Sequence, residues 1–260
     1  MNRFFKNVIK YWKYAIRQAK AELKSEVADS YLNWLWWIIE PFCFMCIYTF
    51  IFTKVFPNNT PYFASFVMIG QAVWDFINRM ITGSVKLIIN NRDLVTKVYV
   101  PKYVLLISKS FTYLFKFCIS LGIAFALMAY QHVPLTYHML LLVPIIITMY
   151  LVSFGIGCIL MHFGVTLNDL GNLTNIVMKM VFYLSGIFYN IKERLTGRAG
   201  YYLLRGNPVA FLMSELRNVC IYGKDLYLSG IIFWALIGIG LTSLGVHLIH
   251  KYENSYAKVI

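Results

Sequence analysis

Two stretches of this chain contain no Asp, Glu, Lys or Arg: 23 residues from Met139 to Met161, and 24 from Leu226 to Ile249. An α-helix rises about 1.5 Å per residue, so about 20 apolar residues cross a hydrocarbon core about 30 Å thick. Either stretch is long enough, and two of them within 260 residues exclude a soluble fold. Charged residues make up only 13% of the chain, against about a quarter in soluble domains.

Four further spans are predicted around these two. Span 1, about Leu32 to Val55, opens on Trp34, Trp36 and Trp37, which suit an interfacial aromatic belt. Glu40-Pro41 lies inside it, so a lost backbone bond and a carboxylate near lipid must both be accommodated. A turn at residues 57–61 leads to span 2, about Tyr62 to Gly83. Here Gln71, Asp75, Asn78 and Arg79 share one helical face, which must point into protein or water. Span 3 is about Tyr103 to Tyr130, with Lys109 and Lys116 embedded; span 4 is Met139 to Met161; span 5 is about Asn172 to Phe188; span 6 is Leu226 to Ile249. The expected fold is an all-α membrane protein with six transmembrane helices. Residues 84–102 form a polar interlude, and residues 190–224 are too polar to cross lipid yet keep apolar patches such as Tyr201 to Leu204.

The first 30 residues read as a separate amphipathic helix. Phe4, Phe5, Val8, Ile9, Trp12, Ile16, Ala19 and Leu23 form an apolar stripe, with Arg3, Lys6, Lys10, Lys13, Arg17, Lys20 and Lys24 opposite. This pattern suits a helix in the interface plane, cations towards anionic headgroups. It also suits packing on a partner helix, and the two are compatible. The segment lacks the apolar core and small-residue cleavage site of a signal peptide. With six spans, 13 Lys/Arg flank the side of the termini and 7 the other, which favours cytoplasmic termini. The six cations within residues 190–224 count against that orientation.

Several chemistries lack a sequence signature. There is no G-x-x-x-x-G-K-[ST] loop to cradle a nucleotide, no H-E-x-x-H, and no nucleophile–base spacing. The histidines, His132, His138, His162, His247 and His250, lie near span ends. Cys43-x-x-Cys46 has no second pair and sits among Phe42, Phe44, Met45 and Ile47, so it reads as packing. No catalytic residue and no metal site is expected.

Three blocks then carry a resemblance. Tyr31 to Trp36, Glu40-Pro41 and Tyr48 to Phe52 form the first. Gly70-Gln71-Ala72-Val73-Trp74, followed by Ser84, Leu87-Ile88, Asn91 and Leu94 to Pro101, form the second. Phe182 to Tyr189, then Asn207-Pro208, Arg217 and Gly223, form the third. In this order and spacing the chain resembles ABC-2 type permeases that export polysaccharides such as O-antigen, capsule or teichoic acid.

The resemblance implies a homodimer in the cell membrane, docked to two copies of a separate cytoplasmic ATPase, with a lipid-linked polymer passing between the subunits. ATP and Mg are then bound by the ATPase, and this chain binds no cofactor. Coupling to the ATPase maps to Leu87, Asn91, Arg92, Asp93 and Leu94, with Asn168 and Asp169 adding contacts; residues 190–224 match re-entrant helices at the outer face. Trp34, Trp36, Tyr48, Trp74, Lys116, Tyr183 and Tyr189 are candidates for a substrate channel, since aromatic faces stack on sugars and a cation meets a lipid-linked phosphate. For each aromatic, lipid belt or helix packing is the plainer role. Lys109, Lys116 and Lys179 have three alternatives: meeting phosphate, snorkelling, or pairing with Asp75 or Glu40. Two other functions fit less well. One is a drug or simple-lipid exporter on the same architecture. The other is a membrane-embedded transferase acting on polyprenyl-linked sugars, which needs paired acids or a histidine base that the scattered acids do not supply.

Overall fold

A computed structural model describes residues 2–28, 31–55, 60–97, 100–134, 136–194, 197–253 and 256. Residues 57–59 of the expected turn at 57–61, positions 98–99 of the second block and residues 195–196 lie outside them. Among the described residues the chain is all-helical, with no strand. The helices are α1 (Asn2–Val27), α2 (Trp36–Phe50), α3 (Phe63–Val85), α4 (Leu87–Asn90), α5 (Arg92–Lys97), α6 (Lys102–Tyr130), α7 (Leu142–Phe163), α8 (Leu170–Leu184), α9 (Ile191–Arg194), α10 (Arg198–Gly206), α11 (Pro208–Cys220) and α12 (Leu228–Lys251). A 3-10 turn, Asn33–Leu35, opens α2, and a π turn, Ile51–Val55, closes it.

Four segments are long and apolar enough to cross a membrane: Asn33–Lys54, Lys102–Tyr130, Tyr137–Phe163 and Leu228–Lys251. The chain is therefore a multi-pass membrane protein. α3, which carries the polar face, is instead the hub of the bundle, packing against α2, α6, α7, α8 and α11. Seventeen of its residues are buried, among them Gln71. This follows from the solvent: surfaces facing lipid must be apolar, whereas a helix enclosed by other helices can carry polar groups that find partners. α8 is the opposite case. It has 15 residues, about 22 Å of rise, and buries only Thr174 and Met178.

The longest contact joins α7 to α12 through small residues. A Cβ on Gly155 would stand 2.6 Å from the Thr242 amide nitrogen, and one on Gly238 would stand 2.9 Å from that of Val152. The Thr242 hydroxyl donates to the Leu151 carbonyl at 3.1 Å. Close backbone approach and interhelical hydrogen bonds are what hold helices together where lipid removes the hydrophobic drive.

Of the two readings of the first segment, α1 shows the packing on a partner helix. Phe4, Val8, Tyr11, Ala15 and Ala19 face the protein, and α1 lies along the first half of α6. Phe4 meets the Tyr103 ring at 5.1 Å, Trp12 meets Phe111 at 4.9 Å, and Asn7 donates to the Tyr103 hydroxyl at 2.8 Å. Ile9 and Trp12 nonetheless remain exposed beside Lys6, Lys10, Lys13, Arg17, Lys20 and Lys24, which all point outward. α6 rises about 43 Å over its 29 residues, more than one hydrocarbon core needs. Its first turns are buried beneath α1 and α4, in a cluster that also takes Ile249 and Tyr256 from the end of the chain. Tyr256 there meets His162 Nδ1 at 2.8 Å, and burial pushes its phenol above the ordinary range.

Candidate functional site

Three places concentrate chemistry. The first is the end of the bundle where α3 gives way to α4 and α5. Leu87, Ile88 and Val95 are buried in the cluster around the first turns of α6, which anchors the segment. Asn91 turns back to donate from Nδ2 to the Leu87 carbonyl at 2.8 Å. The link between α7 and α8 lies alongside: a Cβ on Gly164 would overlap the Val85 carbonyl, and one on Gly171 would sit 3.5 Å from Lys86 Cε. The seven residues assigned to coupling thus come to one end. Arg92, Asp93, Asn168 and Asp169 are exposed there, Asn91 and Leu94 are half-buried, and Leu87 is buried.

The second place is a groove between α2, α3 and α6, lined by Trp37, Glu40, Asp75, Arg79, Tyr113 and Lys116. Arg79 and Glu40 are 3.6 Å apart. Lys116 pairs with neither acid of the groove; its Nζ lies 2.6 Å from Glu26 of α1, and Lys109 pairs with Glu22 of the same helix. Of the roles open to these lysines, a structural pairing is realised, with different partners from Asp75 and Glu40. A signal for the partners existed: Glu22 and Glu26, one turn apart, fall on the face opposite the cationic stripe. Lys179 is exposed on α8.

The aromatic candidates separate. Trp74 is buried edge-on against Phe182 at 5.1 Å, and Tyr48 packs on Phe188 at 4.1 Å, which also stacks on Phe52 at 5.2 Å. These rings tie α2 and α3 to the end of α8. Trp34, Trp36 and Tyr183 are exposed, and the half-buried Tyr189 donates to the Tyr183 carbonyl at 2.9 Å. Cys43 and Cys46 are free thiols on the open side of α2. No group of three metal-ligating side chains occurs among the described residues.

The third place was visible in the sequence only as parts of the resemblance. Arg217, 5% exposed, donates from Nε to the Phe66 carbonyl at 3.0 Å, from Nη1 to Gly186 at 2.9 Å, and from Nη2 to Ile187 at 2.7 Å. Its guanidinium lies 3.4 Å from the Phe66 ring centroid. Gly70 leaves the room, since a Cβ there would overlap Nη2. Gly186 adopts φ +66°, a conformation glycine takes without strain. Asn207 caps α11, its side chain accepting from Val209 N at 3.0 Å, with Pro208 in the first turn. Its Nδ2 also donates to Ser185 Oγ at 3.0 Å. Residues from the second and third blocks are therefore one tie that fastens α11 to α3 and to the end of α8.

Residues 18–221, from within α1 to the end of α11, match the ABC-2 type transporter family. The chain belongs to that family. Curated relatives of this ABC-2 chain include the O-antigen export system permease protein RfbA of Myxococcus xanthus, 28% identical over 220 residues, which cover 84% of either chain. Two proteins of the same name from Klebsiella pneumoniae are 23% and 24% identical over 249 residues, covering 92% of either chain. The family match ends before α12, the helix whose packing on α7 is the most extensive helix contact among the described residues.

Proposed function

We propose that this chain is the transmembrane permease subunit of an exporter that moves a lipid-linked polysaccharide from the cytoplasm to the outer face of the membrane, driven by a separate ATPase. The observation that carries the reading is similarity over 84% to 92% of the chain to proteins named O-antigen export permeases, in a chain of the ABC-2 family. In this reading α2, α3, α6, α7, α8 and α12 make six crossings, with both termini cytoplasmic, and α9 to α11 enter the outer face without crossing. The cation distribution supports that orientation. Arg92, Asp93, Asn168 and Asp169 meet the ATPase, and the buried Leu87, Ile88 and Val95 pass its movement to α3 and α6. Two copies form the path. The uncovered apolar faces of α2 (Phe44, Ile47, Phe50) and α8 (Ile176, Met180) are surfaces that a second copy would cover. Export of a drug or simple lipid on the same architecture is the alternative.

Purification of the tagged chain from its native membrane tests the reading. A P-loop ATPase should co-purify, and its turnover should change when Arg92→Glu or Asp93→Lys is introduced. A subunit that alone modifies a lipid-linked sugar without ATP would sink the proposal.

A further inference from the structure

Opposite the 87–97 end, some 29 Å along α3 from Val85 to Phe66 by helical rise, a cleft opens between α3, the α8–α9 junction, α10 and α11. It encloses about 710 Å³, open solvent at its mouth included. Among the described residues two charged side chains line it, Arg217 and Lys224, and no Asp or Glu does. The remaining polar lining includes Ser185, Asn190, Ser214 and Asn218.

The charge balance is unusual. Arg217 is buried and has no ion pair among the described residues. A guanidinium carries five N–H bonds; the carbonyls of Phe66, Gly186 and Ile187 take three, and two remain. Carbonyl dipoles and the Phe66 ring reduce the cost of burying this cation but supply no opposite charge. Glu215, the acid nearest in sequence, lines an adjoining cleft that shares Asn218 and Lys224 with this one, and accepts there from the Tyr227 amide at 2.9 Å and from Asn218 at 3.3 Å, so among the described residues Arg217 is the cation left without an acid. Lys224 is held at the mouth by the turn that ends α11. Gly223 takes φ +55°, and the Lys224 amide donates to the Asn218 carbonyl at 2.9 Å.

We propose that this cleft is an oxyanion site that takes a phosphate or pyrophosphate group, with Arg217 at its floor, Lys224 at its mouth and the Ser214 hydroxyl between. A tetrahedral phosphate offers enough acceptor oxygens to meet the two remaining guanidinium N–H bonds, an ammonium and a hydroxyl at once, and charge-assisted bonds of this kind are the strong ones. The same chemistry is offered by a lipid headgroup and by a phosphate carried in water. The inference stands on the cleft itself and does not depend on the export reading.

The test uses the full chain purified in a maltoside detergent, which contains no phosphate. Sodium pyrophosphate is titrated against sodium chloride at matched ionic strength, with calorimetry and the unfolding temperature as readouts. Pyrophosphate should bind and stabilise the wild type, because a ligand that binds only the folded state raises its stability. Lys224→Gln, an exposed site that leaves the fold alone, should weaken binding roughly tenfold, and Ser214→Ala should weaken it further. Lys13→Gln, an exposed cation on α1, should change nothing. Arg217→Lys should abolish binding, and the Lys224 and Ser214 variants keep the test sound if that variant folds poorly. In a second arm the chain sits in nanodiscs of phosphatidylglycerol. Loss of pyrophosphate binding there, with phosphatidylglycerol retained by the wild type and not by Lys224→Gln, assigns the site to a lipid headgroup. Undiminished pyrophosphate binding assigns it to water-borne phosphate. Pyrophosphate acting no better than chloride, or acting equally on wild type and Lys224→Gln, overturns the proposal.

Discussion

Gly70 and Arg217, 147 positions apart, are shaped to each other: the guanidinium occupies the space in which any side chain at position 70 would begin. From there it reaches the carbonyls of Phe66, Gly186 and Ile187, so one side chain fastens three segments of the chain. Gly70→Ala should push Arg217 out of this geometry and destabilise the protein by about 1–3 kcal/mol, the usual range for overpacking a filled interior. Arg217→Lys should do comparable harm, because an ammonium cannot span three carbonyls with the geometry of a planar fork. Thermal unfolding in detergent checks both, and a Gly70→Ala protein as stable as wild type would refute the pairing.

The two lysines of α6 should report their partners through charge exchange. Glu26→Lys alone sets two cations side by side, and Lys116→Glu alone sets two carboxylates side by side. The double exchange restores an attractive pair. Residues in direct contact typically show coupling of about 0.5–3 kcal/mol. We expect the double variant to recover most of the stability lost by either single one. Simple addition of the two losses in unfolding measurements would show that Lys116 and Glu26 do not interact.

The α7–α12 contact separates two kinds of glycine. Gly155→Ala should destabilise, since the added Cβ would stand 2.6 Å from the Thr242 amide nitrogen of α12. Gly240 lies on the same α12 with nothing within 4 Å of a Cβ. Gly240→Ala should be neutral or stabilising by about 0.5–1 kcal/mol, because glycine is the poorer helix former. The opposite order of the two variants in a melting series would show that the small residues do not set this contact.

Tyr256 should hold the end of the chain to α7. Its hydroxyl, whose pKa burial raises, meets His162 Nδ1 at 2.8 Å. Removing that hydroxyl with Tyr256→Phe leaves the ring packed but frees the bond. Hydrogen exchange of the amides that end α12 should then speed up, while the amides of α3 stay as they were. Unchanged exchange at both places would show that the bond contributes nothing to holding the tail.

Much of the architecture is legible in the chain's residue pattern. The uncharged stretches within α7 and α12 mark themselves, and the paired stripes of the first 30 residues forecast a helix with two different faces. The 87–94 segment and the 168–169 link were matched to one role by resemblance, and the fold brings them to the same end. The polar face of span 2 must point into protein or water, and α3 is accordingly the hub of the bundle, because Gln71, Asp75 and Arg79 are tolerated only where other helices replace lipid. The apolar pattern carries span 5 through Phe188, whereas α8 ends at Leu184 and the chain turns at Gly186 to meet Arg217.

The division has a physical cause. Lipid acts as a solvent on each residue separately, so hydropathy, charge gaps and helical stripes record where the chain crosses, lies flat or stays in water. By itself the sequence therefore determined that this is a membrane protein, where its apolar helices run and which face of α1 is cationic. Pairings are another matter. Lys109 finds Glu22 across 87 residues and Arg217 finds Phe66 across 151. No local pattern encodes such distances. They are decided only when the helices pack, because a buried charge takes whichever partner the packed backbone brings within reach.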